Sequence, residues 1–175
     1  MSISEILLKT AIVHTLTYFI VGATAFFVFN YKATLEHPAN NMRSATDPLV
    51  RAGVLFQPLR GILFGIVFYL LRDVLFFRPN GWFVMWIMLV AVGILSTFAP
   101  AASSIEGFIY LKSSEGVNWG GLVEILIQSF SLSIISFYWI IHPKLTWLTW
   151  LLGILFIVAM ALSTLGLLVN RKSIK

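Results

Sequence analysis

Ionisable and amide side chains inside long apolar stretches are the residues of this chain that could do chemistry. Arg60 stands in the apolar stretch that follows Phe56, and Glu124 stands in another, four residues before Gln128. Residues four apart share one face of a helix, so Glu124 and Gln128 are predicted to point the same way. Because burying a charge is costly, each of these residues is expected to have a partner or a task.

The composition indicates that lipid surrounds most of the chain. The 175 residues are 59% hydrophobic and 11% charged, and the mean hydropathy is +0.92. Soluble domains carry about 25% charged residues, so this chain has too few charges to cover a surface that faces water. There is no cysteine, which excludes disulfides, thiolate metal sites and thiol catalysis.

Long apolar runs separated by polar turns predict an all-α fold. We expect a polytopic membrane helical bundle that forms a single integral membrane domain over residues 1–175. About five transmembrane helices are predicted, together with two short interfacial or re-entrant helices. The predicted spans cover about residues 8–30, 57–77, 82–99, 119–141 and 145–169.

Capping residues mark the two short helices. Asp47 is a favoured N-cap, and the proline that follows it suits the first helical position, which predicts a helix over Pro48–Phe56. Ser103 and Glu106 fit the S-x-x-E capping box and predict a helix from Ile105 to about Lys112. This capping role is one interpretation of Glu106, and a functional role is the other.

The uncharged part of the second span, between its two arginines, is too short to cross the hydrocarbon core of a membrane. Arg60 and Arg72 are twelve residues apart, about 18 Å along a helix, against a hydrocarbon core of about 30 Å. At least one arginine is therefore predicted to point into the protein. Pro58 is expected to kink the start of this span, and Gly61 and Gly65 form a small-xxx-small face for close helix packing.

The topology brings one set of polar residues to the same membrane level. The start of span two, the end of span three and the start of span four lie on one side, which predicts a polar interior or ligand-binding site. Arg60 is expected to pair there with Glu124 or Glu106, either as a structural strut or as a working site. The candidate residues are Gln57, Arg60, Glu106, Glu124 and Gln128.

A second polar cluster is predicted near the opposite membrane face. The histidines have no metal-ligand spacing, so no metal site and no cofactor are predicted. A two-histidine metal or haem site between His14 and His142 is the alternative that the topology leaves open. The members of this second cluster are His14, Arg72, Asp73 and His142.

The sequence contains no catalytic signature, so an enzymatic activity is neither indicated nor excluded. Three functions stay open. Base rates favour an accessory or scaffold subunit of a membrane complex. The second is a lipid-headgroup or anion binder or enzyme that uses Arg60 with Glu124 or Glu106, and the third is a small oligomeric channel or transporter. The expected partners are membrane lipid and a second copy or another protein, and no nucleic acid.

The distribution of basic residues predicts the orientation. The positive-inside rule places the more basic side in the cytoplasm, which favours a multi-pass protein of the cell membrane with a cytoplasmic C-terminus. With five spans, the side opposite the C-terminus carries Lys9, Arg72, Arg78 and Lys144, whereas the C-terminal side carries Lys32, Arg43, Arg51, Lys112, Arg171, Lys172 and Lys175.

Overall fold

A computed structural model of the chain describes residues 1–32, 43–111 and 119–172, and this part of the chain contains helices and no strand. Besides the α-helices there are two short segments of other helical geometry, a 3₁₀ turn and a π-helical turn. The elements in chain order are α1 (Ile3–Val28), α2 (Pro48–Arg51), the 3₁₀ turn (Gly53–Phe56), α3 (Gln57–Leu70), α4 (Arg72–Leu75), α5 (Gly81–Val90), the π-helical turn (Ala91–Leu95), α6 (Ile105–Tyr110), α7 (Trp119–Ile141) and α8 (Thr146–Lys172).

In the described part of the chain, four helical segments are long and apolar enough to cross a membrane: Ile3–Val28, Gly53–Leu70, Trp119–Ile141 and Thr146–Leu168. Gly81–Leu95 is a shorter apolar helix, about 22 Å long at 1.5 Å per residue. The fold is therefore an all-α membrane helical bundle, as the sequence predicts.

Helix α1 lies at the centre of the bundle and runs antiparallel to both α3 and α7. Gly65 of α3 meets Leu7, while Gln57, two turns earlier, meets His14. On the other side, the end of α7 contacts Lys9 and its start contacts Phe29. Helices α3 and α7 are thus parallel to each other, so the chain between them must return across the bundle, and α5 makes that passage.

The glycine face of α3 gives the closest helix contact. A Cβ atom on Gly61 would lie 2.5 Å from Cα of Ala11, and one on Gly65 would lie 2.9 Å from Cα of Leu7. Real Cβ atoms do not approach a backbone atom that closely, so only glycine fits at this separation. The predicted small-residue face is confirmed, and its partner is α1.

The boundaries of the second span differ from the prediction. Helix α3 ends at Leu70, and Arg72 begins the separate short helix α4 instead of lying inside a span to residue 77. Pro58 lies in the first turn of α3, where its missing N–H costs no helix bond, so it starts this helix and does not interrupt it. Arg72 donates to the carbonyl of Tyr69 (3.0 Å).

Both short helices are found, but the one predicted over Pro48–Phe56 ends at Arg51 and is followed by the 3₁₀ turn, and one cap needs correction. Asp47 caps α2 by accepting from the Leu49 backbone N–H (2.8 Å), and this bond, with Arg43 nearby, holds the pKa of Asp47 below its usual value. Helix α6 is capped by Ser104, which accepts from the Gly107 N–H (2.9 Å), so the predicted capping box based on Ser103 is wrong by one residue. The predicted end of this helix at residue 112 lies outside the described residues.

The apolar core fills one end of the bundle, where α1 and α5 begin and α3 and α7 end. We call this the packed end, and the opposite end the cavity end. Side chains that are at most 1% exposed come from α1, α3, α4, α5, α7 and α8. They include Ile6, Phe68, Leu75, Met85 and Ile140.

Lys9 caps the C-terminus of α7 at the packed end. Its Nζ donates to the carbonyl of Trp139 (3.1 Å) and to Glu5 (2.7 Å), and the residue is only 9% exposed. The Trp139 carbonyl needs this donor because position 143, which would normally supply the helical N–H, is a proline. From the sequence alone, Lys9 is only one of the charges that set the orientation.

We expect Lys9→Met to lower the free energy of unfolding by about 1–3 kcal/mol, because it leaves a buried carbonyl without a donor. The loss should be smaller in a Pro143→Ala background, where residue 143 has an N–H that can reach Trp139. Equilibrium unfolding in detergent, followed by tryptophan fluorescence, measures both. Equal losses in the two backgrounds would contradict the capping role.

Candidate functional site

A large cavity lies at the cavity end, between the second half of α1, the α2–3₁₀ segment and the start of α7. Its volume is about 690 Å³, within the range of about 300–1,000 Å³ typical of ligand pockets. Most of its wall is apolar, and four side chains contribute polar groups to it: Tyr18, Tyr31, Arg43 and Glu124. The apolar lining comes from Phe19, Gly22, Ala23, Phe26, Phe27, Ala45, Val50, Gly53 and Val54.

Glu124 is the anchor of the polar part of this cavity. One carboxylate oxygen accepts from the Tyr31 hydroxyl (2.5 Å), and the other accepts from the side-chain amide of Gln128 (2.8 Å). The shared face predicted for Glu124 and Gln128 is confirmed by this bond. Burial and the Glu124 carboxylate raise the pKa of Tyr31, so its phenol stays a proton donor at neutral pH.

Gly22 lies next to the Glu124 carboxylate and has no side chain to fill the space beside it. A Cβ atom on Gly22 would lie 3.5 Å from Oε1 of Glu124 and 3.9 Å from Nε2 of Gln128, which are ordinary contact distances. A small side chain is therefore tolerated here, whereas a long one would extend into the cavity. Gly22 thus sets how much of the large cavity is free beside Glu124.

A second, smaller cavity of about 80 Å³ lies deeper, between α1, α3, α5 and α7. The Arg60 guanidinium lines it and lies 5.7 Å from the ring centre of Phe64. Gln128 also lines it, so the amide that bonds Glu124 stands between the two cavities. The π-helical turn contributes Gly93 and Ile94, which fits the frequent occurrence of π-turns at functional sites.

His14 belongs to this deeper region. Its Nε2 lies 3.1 Å from Oε1 of Gln57, and the Gln57 amide donates to the carbonyl of Gly53 (2.9 Å). Both side chains are buried, at 5% and 7% exposure, and the His14 ring meets Phe64 edge-on. This chain of bonds ties the start of α3 to the middle of α1.

The predicted pairing of Arg60 with Glu124 or Glu106 is not formed. Among the described residues Arg60 has no carboxylate within 4.0 Å, and Glu124 bonds to Tyr31 and Gln128 instead. Arg60 lies next to Gly61, which packs on Ala11 of α1, whereas Glu124 lies beside Gly22, eleven residues further along α1. Glu106 lies in the first turn of α6 and lines neither cavity.

The second predicted cluster is also dispersed. His14 bonds Gln57, because α1 packs antiparallel on α3 with Gly61 against Ala11 and Gly65 against Leu7. Arg72 and Asp73 remain near each other, with 4.0 Å between their charged groups. His142 follows the last residue of α7 and contacts the carbonyl of Tyr138 (2.9 Å), whereas His14 bonds Gln57, so the two histidines have different partners.

Glu124 is the one described lining residue of the large cavity that the sequence predicts as a site residue; Tyr18, Gly22 and Tyr31 are among those that it does not. Tyr31 follows an apolar run and looks like an interfacial aromatic, and nothing in its local sequence points to a residue 93 positions away. Only the register of α1 against α7 reveals its role. Within residues 1–32, 43–111 and 119–172, no three histidines, aspartates or glutamates come together in a way that could hold a metal ion.

No family model, curated protein or solved structure matches the chain. The class therefore rests on the fold and the site themselves. They define an all-α membrane helical bundle that is densely packed at one end and carries two cavities, joined by the Glu124–Gln128 bond, toward the other.

Proposed function

We propose that this chain is an integral membrane binding protein that holds an amphiphilic molecule in the 690 Å³ cavity. The observation that carries the proposal is the lining of that cavity, an apolar wall with a few polar groups gathered around Glu124. This is the general composition of small-molecule sites, in which apolar walls supply affinity and a few polar groups fix orientation.

The apolar wall continues to the outside of the bundle. Phe27, which lines the cavity, is 81% exposed, and it contacts Phe26 edge-on with 5.7 Å between ring centres. In a bilayer such a wall faces acyl chains, so an amphiphile could enter sideways from the lipid. This proposal keeps the lipid-binding function considered from the sequence and transfers it from Arg60 to Glu124.

The proposed membrane is the cell membrane, with the C-terminus and the cavity end on the cytoplasmic side. The burial of Lys9 supports this orientation, since a lysine that caps a helix inside the bundle is not a loop charge. Removing Lys9 from the comparison leaves fewer basic residues on the side opposite the C-terminus. The difference in the number of basic residues between the two sides, which the positive-inside rule uses, therefore increases.

Native mass spectrometry of the gently purified full chain tests the proposed function against the other two. We expect the chain to retain one amphiphile that organic solvent extracts, with a mass distinct from that of the bulk lipid. A stoichiometric protein partner with no retained amphiphile would support the accessory-subunit function instead. Ion flux through reconstituted vesicles without a retained amphiphile would support the channel function.

A further inference from the structure

We infer that the polar end of the bound amphiphile is a cationic amine held by Glu124. This inference rests on the proposed function and adds the chemical class of the ligand. It starts from the fact that the large cavity contains a carboxylate whose charge the described part of the protein does not balance.

The hydrogen bonds of Glu124 leave it room for another donor. Among the described residues each oxygen accepts one bond, from Tyr31 and from Gln128 respectively, and a carboxylate has about four acceptor positions. Both present partners are neutral, so they solvate the charge without cancelling it. A charged side chain within a membrane-spanning segment normally pairs with an opposite charge. Glu124 lines the large cavity, so a partner for its carboxylate can come from a bound ligand.

The nearby arginines do not neutralise this carboxylate. Arg43, which lines the same cavity, forms its ion pair with Asp47 (3.0 Å). Arg60 lines the deeper cavity and lies against Phe64. In the described residues no lysine, arginine or histidine lies within ion-pairing distance of Glu124.

Aromatic side chains around the same cavity suit a cation as well. Tyr18, Phe26 and Tyr31 line it together with Glu124, and the faces of aromatic rings attract ammonium groups by about 0.5–2 kcal/mol. An anionic head would meet the carboxylate and find its possible partner, Arg43, already paired. The lining therefore favours an amine over a carboxylate or a phosphate.

Binding of three amphiphiles of equal chain length tests this inference: a fatty amine, a fatty alcohol and a fatty acid. The full chain in lipid nanodiscs is titrated with each, at a pH where the amine is protonated. We expect the amine to bind at least about tenfold more tightly than the alcohol, a difference of about 1.4 kcal/mol, and the acid to bind most weakly. Equal binding of amine and alcohol, or tightest binding of the acid, would overturn the inference.

Two matched variants locate the effect. Glu124→Gln keeps the shape of the side chain and removes its charge. It should lower the affinity for the fatty amine by about tenfold and leave the affinity for the fatty alcohol unchanged. Glu106→Gln makes the same change outside the cavity and should leave the affinities for all three amphiphiles unchanged. The wild-type comparison stands even if Glu124→Gln fails to fold. If none of the three amphiphiles binds, the proposed function itself fails, which is distinct from binding without a preference for the amine.

Discussion

Replacing Gly61 with alanine is expected to lower the free energy of unfolding by about 1–3 kcal/mol, the usual cost of overpacking. The added Cβ would lie 2.5 Å from Cα of Ala11 and 3.2 Å from Cβ of His14. The obstacle is backbone, which cannot rotate away, so α1 and α3 must separate. Their separation should also stretch the bond between His14 and Gln57. The midpoint of thermal unfolding in detergent measures the effect.

Gly153→Ala is the matched control for this substitution. Gly153 lies within α8, and a Cβ atom there would meet nothing within 4 Å. Its midpoint should stay unchanged or rise slightly, because alanine favours a helix over glycine by up to about 1 kcal/mol. A Gly61→Ala variant as stable as this control would contradict the close packing of α1 on α3.

Replacing Gly22 with leucine is expected to block the large cavity while leaving the fold intact. Its Cβ has room at 3.5 Å from Glu124, but the rest of the leucine side chain must extend into the space proposed for the ligand. We expect fatty-amine affinity to fall by at least about tenfold, or about 1.4 kcal/mol. Titration in nanodiscs measures the affinity, and the unfolding midpoint verifies that the variant is folded.

Gly153→Leu controls for adding the same apolar surface elsewhere on the membrane face. It should bind the fatty amine as the wild type does, because its side chain lies on α8, away from the lining of the cavity. If Gly22→Leu is folded and also binds like the wild type, the amphiphile does not occupy the 690 Å³ cavity.

Local features of the sequence predict much of this fold. The bounds of α7 agree with the predicted span 119–141, and the Asp47 cap and the glycine face of α3 are found as expected. Each of these depends on a few neighbouring residues, through hydropathy, capping or helical spacing. Such local features predict the structure well because backbone polar groups in lipid must be hydrogen-bonded within the segment, which favours helices.

The side-chain pairing could not be predicted in the same way. Topology gives only the membrane face near which a residue lies, and it does not give the register or rotation of the helices. Arg60 lies next to Gly61, which packs near Ala11 of α1, whereas Glu124 lies beside Gly22. The sequence predicts His14 near the opposite membrane face, yet it bonds Gln57, a member of the first predicted set. Contacts such as Lys9 with Trp139 depend on the register of two helices that are far apart in sequence.

A photoreactive fatty amine tests the central claim most directly, when it is crosslinked to the full chain in lipid nanodiscs and its adducts are mapped by peptide mass spectrometry. The cavity predicts adducts concentrated on residues 18–31 and 50–54, which disappear when unlabelled fatty amine competes. Adducts spread over the exposed surface of α8 in similar yield, with no competition, would show that the amine only dissolves in the surrounding lipid. That result would contradict a binding site beside Glu124.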